Sequence, residues 1–217
     1  MGRMITVKGI GKVSQRPDYV EITMMLQTSD KDYEKTIETA SMKLEEVNEK
    51  VREAGFDKTV LKTTEFTINT SYDEVQDSNR HYRNVFKGYI CQQALKISFD
   101  FDRQVLSKTL SMFSKLASHP KIDVEFTVRD STAVSEKLLQ DAAANAKRKA
   151  EILTKASGAT LGKLLSIDYD WGEISVFSDT EYSFMHESGI HTDMNMPDIC
   201  PDDIHVKDTA TFIWELL

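Results

Sequence analysis

Apolar and polar residues alternate with a period of two in several segments of the chain, a pattern typical of half-buried β-strands. The most regular alternation covers residues 206–216, and a similar run begins at Val20. Pro17 lies in a turn signal between this second run and an earlier extended segment, so residues 5–27 are predicted to form a β-hairpin. Four further strands are predicted at residues 66–72, 85–99, 122–128 and 165–169.

Two long segments carry a single apolar stripe with a helical period instead. Residues 33–54 are predicted to form a helix that Ser29 or Asp30 caps and that Gly55 ends. A longer helix is predicted over residues 131–157. Its stripe contains small residues that allow another backbone to approach closely, and its members are Leu138, Ala142, Ala146, Ala150 and Leu153.

A third helix is predicted at residues 103–117, between strands 85–99 and 122–128. These three elements predict a βαβ unit, and its crossover is right-handed if the two strands lie side by side. The order of strands and helices therefore predicts an α+β protein in which the long helices pack on a sheet.

The composition argues against several classes of protein. The chain has 217 residues, 40% hydrophobic residues and a net charge of −8. It is too apolar for a disordered chain and too acidic for a general nucleic-acid binder. No apolar run approaches the roughly 18 residues of a membrane span. Because the N-terminal residues enter a strand without a leader, a cytoplasmic location is expected, or an envelope location if a leader was removed.

Five short motifs follow one another along nearly the whole chain. They are strand 5–13, turn 16–18, Gly88-Tyr89 before a long strand, the helix end 149–153 with 158–162, and Pro201 before strand 206–216. In this order the motifs resemble the SIMPL-domain family.

The resemblance implies an α+β fold of two-layer α/β sandwiches with a mainly antiparallel sheet, formed as one domain over residues 1–217 or as two interleaved lobes. Bacterial relatives are mostly exported envelope proteins. Some form ring- or channel-like homo-oligomers, and some are linked to protection from oxidative stress. A vertebrate relative is an adaptor for a receptor-associated kinase. The family has no established activity, so the resemblance implies no catalytic, cofactor-binding or metal-binding residue.

Residues 177–203 show no regular period and are predicted to form a long irregular loop. Imidazole, thioether and thiol groups together suit copper or zinc, but their spacing here matches no standard metal motif. A metal-binding protein, or an enzyme that uses this loop as a lid, is therefore the alternative function. The candidate ligands are Met185, His186, His191, Met194, Met196, Cys200 and, just beyond the loop, His205.

The remaining chemical groups are interpreted as structural or solvated. Gly9 and Gly11 lie in a strand rather than before a helix, so they do not form a phosphate-binding loop. Cys91 lies in a strand and is interpreted as a small buried hydrophobe. The groups interpreted as solvated are His81, His119, the pair Glu45-Glu46, the pair Asp202-Asp203 and the basic cluster 147–149.

We therefore expect a non-enzymatic module that self-associates as a homo-oligomer and presents surfaces to protein partners. Strands with free edges, the Ala-rich helix 131–157 and the Met- and aromatic-bearing loop 177–203 motivate this expectation. No cofactor, nucleic acid or membrane span is expected.

The metal alternative is checked by titrating Cu(I) and Zn(II) into the purified protein. We expect no tight site, because the ligand spacing fits neither a structural nor a catalytic zinc motif. The matched comparison is the His186→Ala/His191→Ala variant. A tight site that this variant loses would instead establish the loop as a metal centre.

Overall fold

The computed structural model describes residues 2–76, 81–170, 172, 174–185 and 199–217. Within them the α+β prediction is confirmed, with three α-helices, a short 3₁₀ turn and eight strands. The elements are β1 (Met4–Gln15), β2 (Tyr19–Asp30), α1 (Tyr33–Ala54), a 3₁₀ turn (Lys58–Val60), β3 (Lys62–Gln76), β4 (Tyr82–Asp100), α2 (Arg103–Phe113), β5 (Lys121–Thr127), α3 (Ser131–Ala156), β6 (Leu161–Asp168), β7 (Tyr182–Met185) and β8 (Ile204–Leu216).

The chain forms two compact units that alternate along the sequence. Unit 1 contains residues 1–18, 127–179 and 201–217, and unit 2 contains residues 19–126 and 180–200. Each unit has its own sheet. The sheet of unit 1 has the strand order β1-β8-β6, and the sheet of unit 2 has the order β3-β4-β2-β5-β7.

Unit 1 is a three-stranded antiparallel sheet with α3 packed on one face. The central strand β8 pairs with β1 without a register shift from Met4↔Glu215 to Gln15↔Ile204. Asp130 caps the start of the helix, and its carboxylate accepts a hydrogen bond from the Ala133 backbone N–H at 2.9 Å.

Helix α3 contacts β1 so closely that two glycines are required. A Cβ atom at Gly9 would overlap the carbonyl oxygen of Ala142, and a Cβ atom at Gly11 would overlap that of Leu138. The prediction that small residues on this helix permit close packing is therefore confirmed. The role of the two glycines is to remove side chains from the contact.

The stripe of α3 departs from the prediction at one position. Leu138, Ala142, Ala146 and Ala150 are buried as predicted, but Leu153 is 52% exposed. Thr154 is buried instead, and its hydroxyl donates to the Ala150 carbonyl at 2.9 Å. Because this bond satisfies the hydroxyl, a polar residue continues the spacing of four where the prediction placed leucine.

Unit 2 has the element order β2-α1-β3-β4-α2-β5 and the topology of a split βαβ fold. β4, α2 and β5 follow one another as predicted, but β2 lies between the two strands in the sheet. The main core of the unit forms where the two helices meet the sheet. Val47 and Val51 of α1 and Leu106, Leu110 and Phe113 of α2 cluster there with the strands.

The predicted hairpin over residues 5–27 is wrong. β1 pairs with β8, whereas β2 pairs with β4. The connection between them is held by Asp18, whose backbone N–H donates to the Thr127 carbonyl and whose carboxylate accepts from the Arg129 N–H at 2.8 Å. Alternation specifies which face of a strand is buried and leaves its neighbour undetermined, so the adjacency was not encoded in the pattern.

Two predicted helix ends also differ. Asp32 rather than Ser29 or Asp30 caps α1, because β2 continues through Asp30. Helix α2 ends at Phe113 rather than at residue 117. The predicted end of α1 is confirmed, since Gly55 has a φ of 99° in the left-handed region.

The contact between β1 and α3 makes unit 1 sensitive to a single methyl group. We expect Gly9→Ala to lower the free energy of unfolding by about 2–3 kcal/mol, because the new Cβ forces two backbones apart. Chemical denaturation measures this change. Gly172→Ala is the matched control, because its Cβ meets no described atom within 4 Å. Equal stability of the two variants would contradict the close contact.

Candidate interaction surfaces

The β3–β4 hairpin extends beyond the rest of the unit 2 sheet. β2 ends with the pair Asp30↔Tyr89, whereas β3 and β4 continue to pair from Ser71↔Gly88 to Gln76↔Tyr82. We call residues 71–76 and 82–88 the arm. Over this length each strand pairs only with the other among the residues that the structure describes, and a two-stranded ribbon of this kind is marginally stable in water.

Both faces of the arm carry exposed apolar side chains. Residues that are direct partners across strands share a face, so the pairs Tyr72↔Phe86 and Gln76↔Tyr82 lie on one side. Tyr72 is 55% exposed, Phe86 46% and Tyr82 66%. The opposite face carries Val75 and Val85, which are also exposed. Neither face of the arm therefore has a complete apolar cover within the described residues.

A chain of aromatic rings connects the arm to the start of α1. The ring of Phe86 contacts Tyr72 and Tyr89 edge to face, with centroid distances of 5.9 and 5.4 Å. Tyr89 in turn contacts Tyr33 at 5.3 Å. These contacts fix the base of the arm and align several large rings along it.

The charges of the arm are balanced, unlike those of the whole chain. Residues 71–88 contain three acidic and three basic side chains, whereas the whole chain has a net charge of −8. One pair is already formed, between Lys87 Nζ and Asp73 Oδ1 at 2.9 Å. The arm is therefore an apolar surface without net repulsion toward an identical surface.

Unit 1 contains a groove where β8 extends past β6. β6 pairs with β8 only between Asp168↔Thr211 and Leu161↔Leu216. Beside the part of β8 that pairs with β1 but not with β6 lies a groove of about 510 Å³. One wall is formed by strand residues 205–209, and the other is formed by Asp170, Gly172, Ile174 and Ser175.

A tyrosine and two carboxylates lie at one end of this groove. Tyr169 donates its hydroxyl hydrogen bond to Asp208 Oδ2 at 2.7 Å. This bond, together with partial burial and the negative charges of Asp208 and Asp170, raises the pKa of the Tyr169 phenol above its usual value. Each of these effects favours the neutral phenol over the phenolate.

The edge strand β6 carries exposed apolar side chains in addition to those of the arm. Leu164, Leu165 and Ile167 are 47%, 53% and 55% exposed. They lie at the edge of the unit 1 sheet, where β8 is the one strand that pairs with β6 in the described part of the chain. Edge strands with apolar side chains are common sites of association.

The structure places only part of the predicted metal-ligand set. The backbone of Met185 ends strand β7, which the sequence pattern did not predict within residues 177–203. Cys200 is exposed, and its sulfur accepts a hydrogen bond from Arg103 Nη2 at 3.1 Å. His205 is exposed at the start of β8. The other candidates lie outside the described residues: His186, His191, Met194 and Met196.

Two of the groups interpreted from sequence are clarified by their contacts. Cys91 is buried and has a free thiol, and burial raises the pKa of that thiol. The interpretation of Glu46 as a solvated carboxylate is wrong. Its carboxylate accepts hydrogen bonds from the backbone N–H groups of Ala117 and Ser118 at 2.6 and 3.2 Å. Glu46 therefore joins α1 to the turn after α2.

Comparison with known families assigns the chain to a class. Residues 5–214 match the family described as "SIMPL: Protein of unknown function (DUF541)". Since this match covers nearly the whole chain, the protein belongs to the SIMPL family, and the expected resemblance is confirmed. No curated protein matches the chain significantly.

Two further observations concern the described part of the chain. None of its helices combines the length and the apolar character that crossing a membrane requires. No group of three or more His, Cys, Asp or Glu side chains converges there as a metal site would require.

The strands predicted at residues 66–72 and 85–99 belong to the β3–β4 hairpin, but sequence reasoning missed the outer part of the arm and the groove. Val75 and Tyr82 interrupt the otherwise polar stretch 73–84, and they are the sequence signal of the outer arm. Asp208 interrupts the apolar alternation of β8 between Val206 and Ala210. A carboxylate on an otherwise apolar face is the sequence signal of the groove.

The contact between Tyr169 and Asp208 predicts a specific pH dependence. Because the folded protein raises the pKa of Tyr169, this group stabilises the fold below the pKa of a free tyrosine. The contribution is lost as the pH rises through the folded pKa. We expect Asp208→Asn to lower the Tyr169 pKa. The difference in phenolate absorbance between each protein and its Tyr169→Phe counterpart measures it.

Asp123→Asn, which removes a carboxylate of unit 2, is the control and should leave the Tyr169 titration unchanged. An unchanged titration in Asp208→Asn would contradict the assigned cause of the shift.

Proposed function

We propose that this SIMPL-family protein is a non-enzymatic module that self-associates through the arm. The observation that carries the proposal is the exposure of large apolar side chains on both faces of a two-stranded ribbon. Burial of such surfaces is favourable by about 25 cal/mol per Å² of apolar area. Since the ribbon is only marginally stable when solvated on both sides, a partner would both cover and stabilise it.

The arm suits a second copy of this chain better than a highly charged partner. With three acidic and three basic side chains in residues 71–88, two identical arms do not repel each other as two surfaces with the average charge of this chain would. Tyr72, Phe86 and Tyr82 also provide the aromatic anchors that are enriched at the centres of interfaces. An arrangement of two arms around a twofold axis would let the same residues contact one another.

The exposed edge strand β6 supports further association. Leu164 and Ile167 lie on a strand with a free backbone edge in unit 1, whereas the arm belongs to unit 2. A protein with two such surfaces has the elements of an assembly larger than a dimer. The contacts of the expected homo-oligomer, and of a protein partner, are thus proposed to lie at the arm and at β6.

A role in stress protection stays a prediction, and so does the cytoplasmic location, or an envelope location if a leader was removed. So does metal binding through residues 177–203. The metal titration described above and the solution mass of the protein distinguish the metal-binding and self-association alternatives.

Replacing two aromatic side chains of the arm should weaken self-association. We expect Tyr72→Ser/Phe86→Ser to raise the dissociation constant by at least about 30-fold, the loss of about 2 kcal/mol typical of one interface anchor. Sedimentation velocity over a concentration series measures the change. Circular dichroism verifies that both proteins remain folded.

The matched control is Met42→Ser, which removes a side chain that is 67% exposed on α1, outside the arm. This variant should associate like the unmodified protein. A monomeric unmodified protein at every concentration, or equal association of all three proteins, would refute self-association through the arm.

A further inference from the structure

We propose that the groove of unit 1 binds an extended peptide of a partner protein, which pairs with the free edge of β8 and places a basic side chain beside Asp208. The groove is distinct from the arm, and the proposal does not depend on self-association. It rests on the free backbone edge, the chemistry of the groove walls and the position of two carboxylates.

The backbone of β8 presents alternate residues to its two sides. The Leu216 N–H donates to the Arg3 carbonyl on the β1 side, whereas the Leu217 N–H donates to Thr160 on the β6 side. The pairing with β1 shows no register shift down to Ile204. The backbone groups of His205, Lys207 and Thr209 therefore point away from β1, into the groove.

Two of these three residues have no groove-side backbone partner among the described residues. The Thr209 N–H already donates to Asp208 Oδ1 at 2.7 Å. Within the described part of the chain, no backbone group bonds to His205 or Lys207 on the groove side. At 3.3 Å per residue, the edge from His205 to Thr209 spans roughly 13 Å, which matches about five residues of an extended peptide. Such strand addition is a recurring mode of peptide recognition.

The side chains around this edge indicate which peptide fits. Ile174 and the buried Val206 belong to one apolar cluster, so a peptide residue on their face would be apolar. Asp208 lies on the same face of β8, and Asp170 lines the same groove. Neither carboxylate forms an ion pair with a described residue. A Lys or Arg side chain of the peptide would supply the missing positive charge.

The opposite face of the edge carries polar side chains. His205 and Lys207 are exposed there, so the peptide positions above them would be polar or acidic rather than basic. The partner segment is thus an extended strand that alternates polar residues with apolar ones and has one basic residue on its apolar face.

The probe is a fluorescein-labelled heptapeptide that alternates Thr with Val and has Lys in place of the central Val. Its counterpart has Glu at the centre. We expect fluorescence anisotropy to show saturable binding of the Lys peptide at least about tenfold tighter than that of the Glu peptide. Amide hydrogen exchange should slow at His205 and Lys207 when the Lys peptide is bound.

Two variants test the two parts of the site separately. Lys207→Pro removes a groove-facing N–H without removing a hydrogen bond to β1. It should weaken the binding of both peptides. Asp208→Asn should abolish the preference for Lys over Glu and retain the protection of the β8 edge. Asp123→Asn in unit 2 is the charge control and should bind like the unmodified protein.

The proposal is overturned if the Lys peptide does not bind at about 1 mM, or if its exchange protection falls outside β8. It is also overturned if Asp208→Asn keeps the full preference for Lys. Loss of self-association in Lys207→Pro would show that a second copy of the chain occupies the groove, which would equally refute a peptide site for a different protein.

Discussion

The contact between the backbone of β1 and the backbone of α3 is the constraint on which unit 1 depends. The two glycines of β1 face the carbonyl oxygens of Ala142 and Leu138, at a distance that leaves no room for a side chain. This contact brings the helix onto the sheet and allows the small side chains of Ala142, Ala146 and Ala150 to be well packed. The apolar residues Val7, Phe212 and Trp214 then close the rest of that layer.

In unit 2, larger side chains fill the space between the helices and the sheet. Its two helices bury aliphatic and aromatic residues against the centre of a split βαβ sheet. Within the described residues of unit 2, neither helix contributes a core residue opposite the outer part of the β3–β4 hairpin. The arm is thus a consequence of topology, since two strands are longer than the layer that covers the sheet.

The periodicity of the sequence was sufficient to predict the three helices and every described strand except β7. The helix over residues 33–54 and the alanine stripe of residues 131–157 were predicted from spacing alone, because each helix buries one continuous face. Strand neighbours were not predictable in the same way. β1 pairs with β8 almost two hundred residues away, and a period of two contains no information about that partner.

The candidate surfaces were less predictable than the fold. Both the arm and the groove arise where one strand is longer than its neighbour, and strand ends are the least certain part of any pattern. The hydrogen bond that Asp208 accepts from the Tyr169 hydroxyl joins two elements that the sequence shows only as separate strands. Asp208 is visible in the sequence as an exception to the apolar alternation. Its contact with Tyr169 could be recognised only once the pairing of β6 with β8 was known.

The interleaving of the two units has a consequence for synthesis. Almost all of unit 2 is contiguous between residues 19 and 126, so it can fold while the chain is still emerging from the ribosome. Unit 1 cannot, because its central strand β8 follows unit 2 in the sequence. Its first strand must remain without this partner until β8 has been synthesised, exposed to other unpaired strands and to chaperones. A premature stop before β8 would therefore release a chain with one formed unit and two strands, β1 and β6, that have lost the neighbour between them.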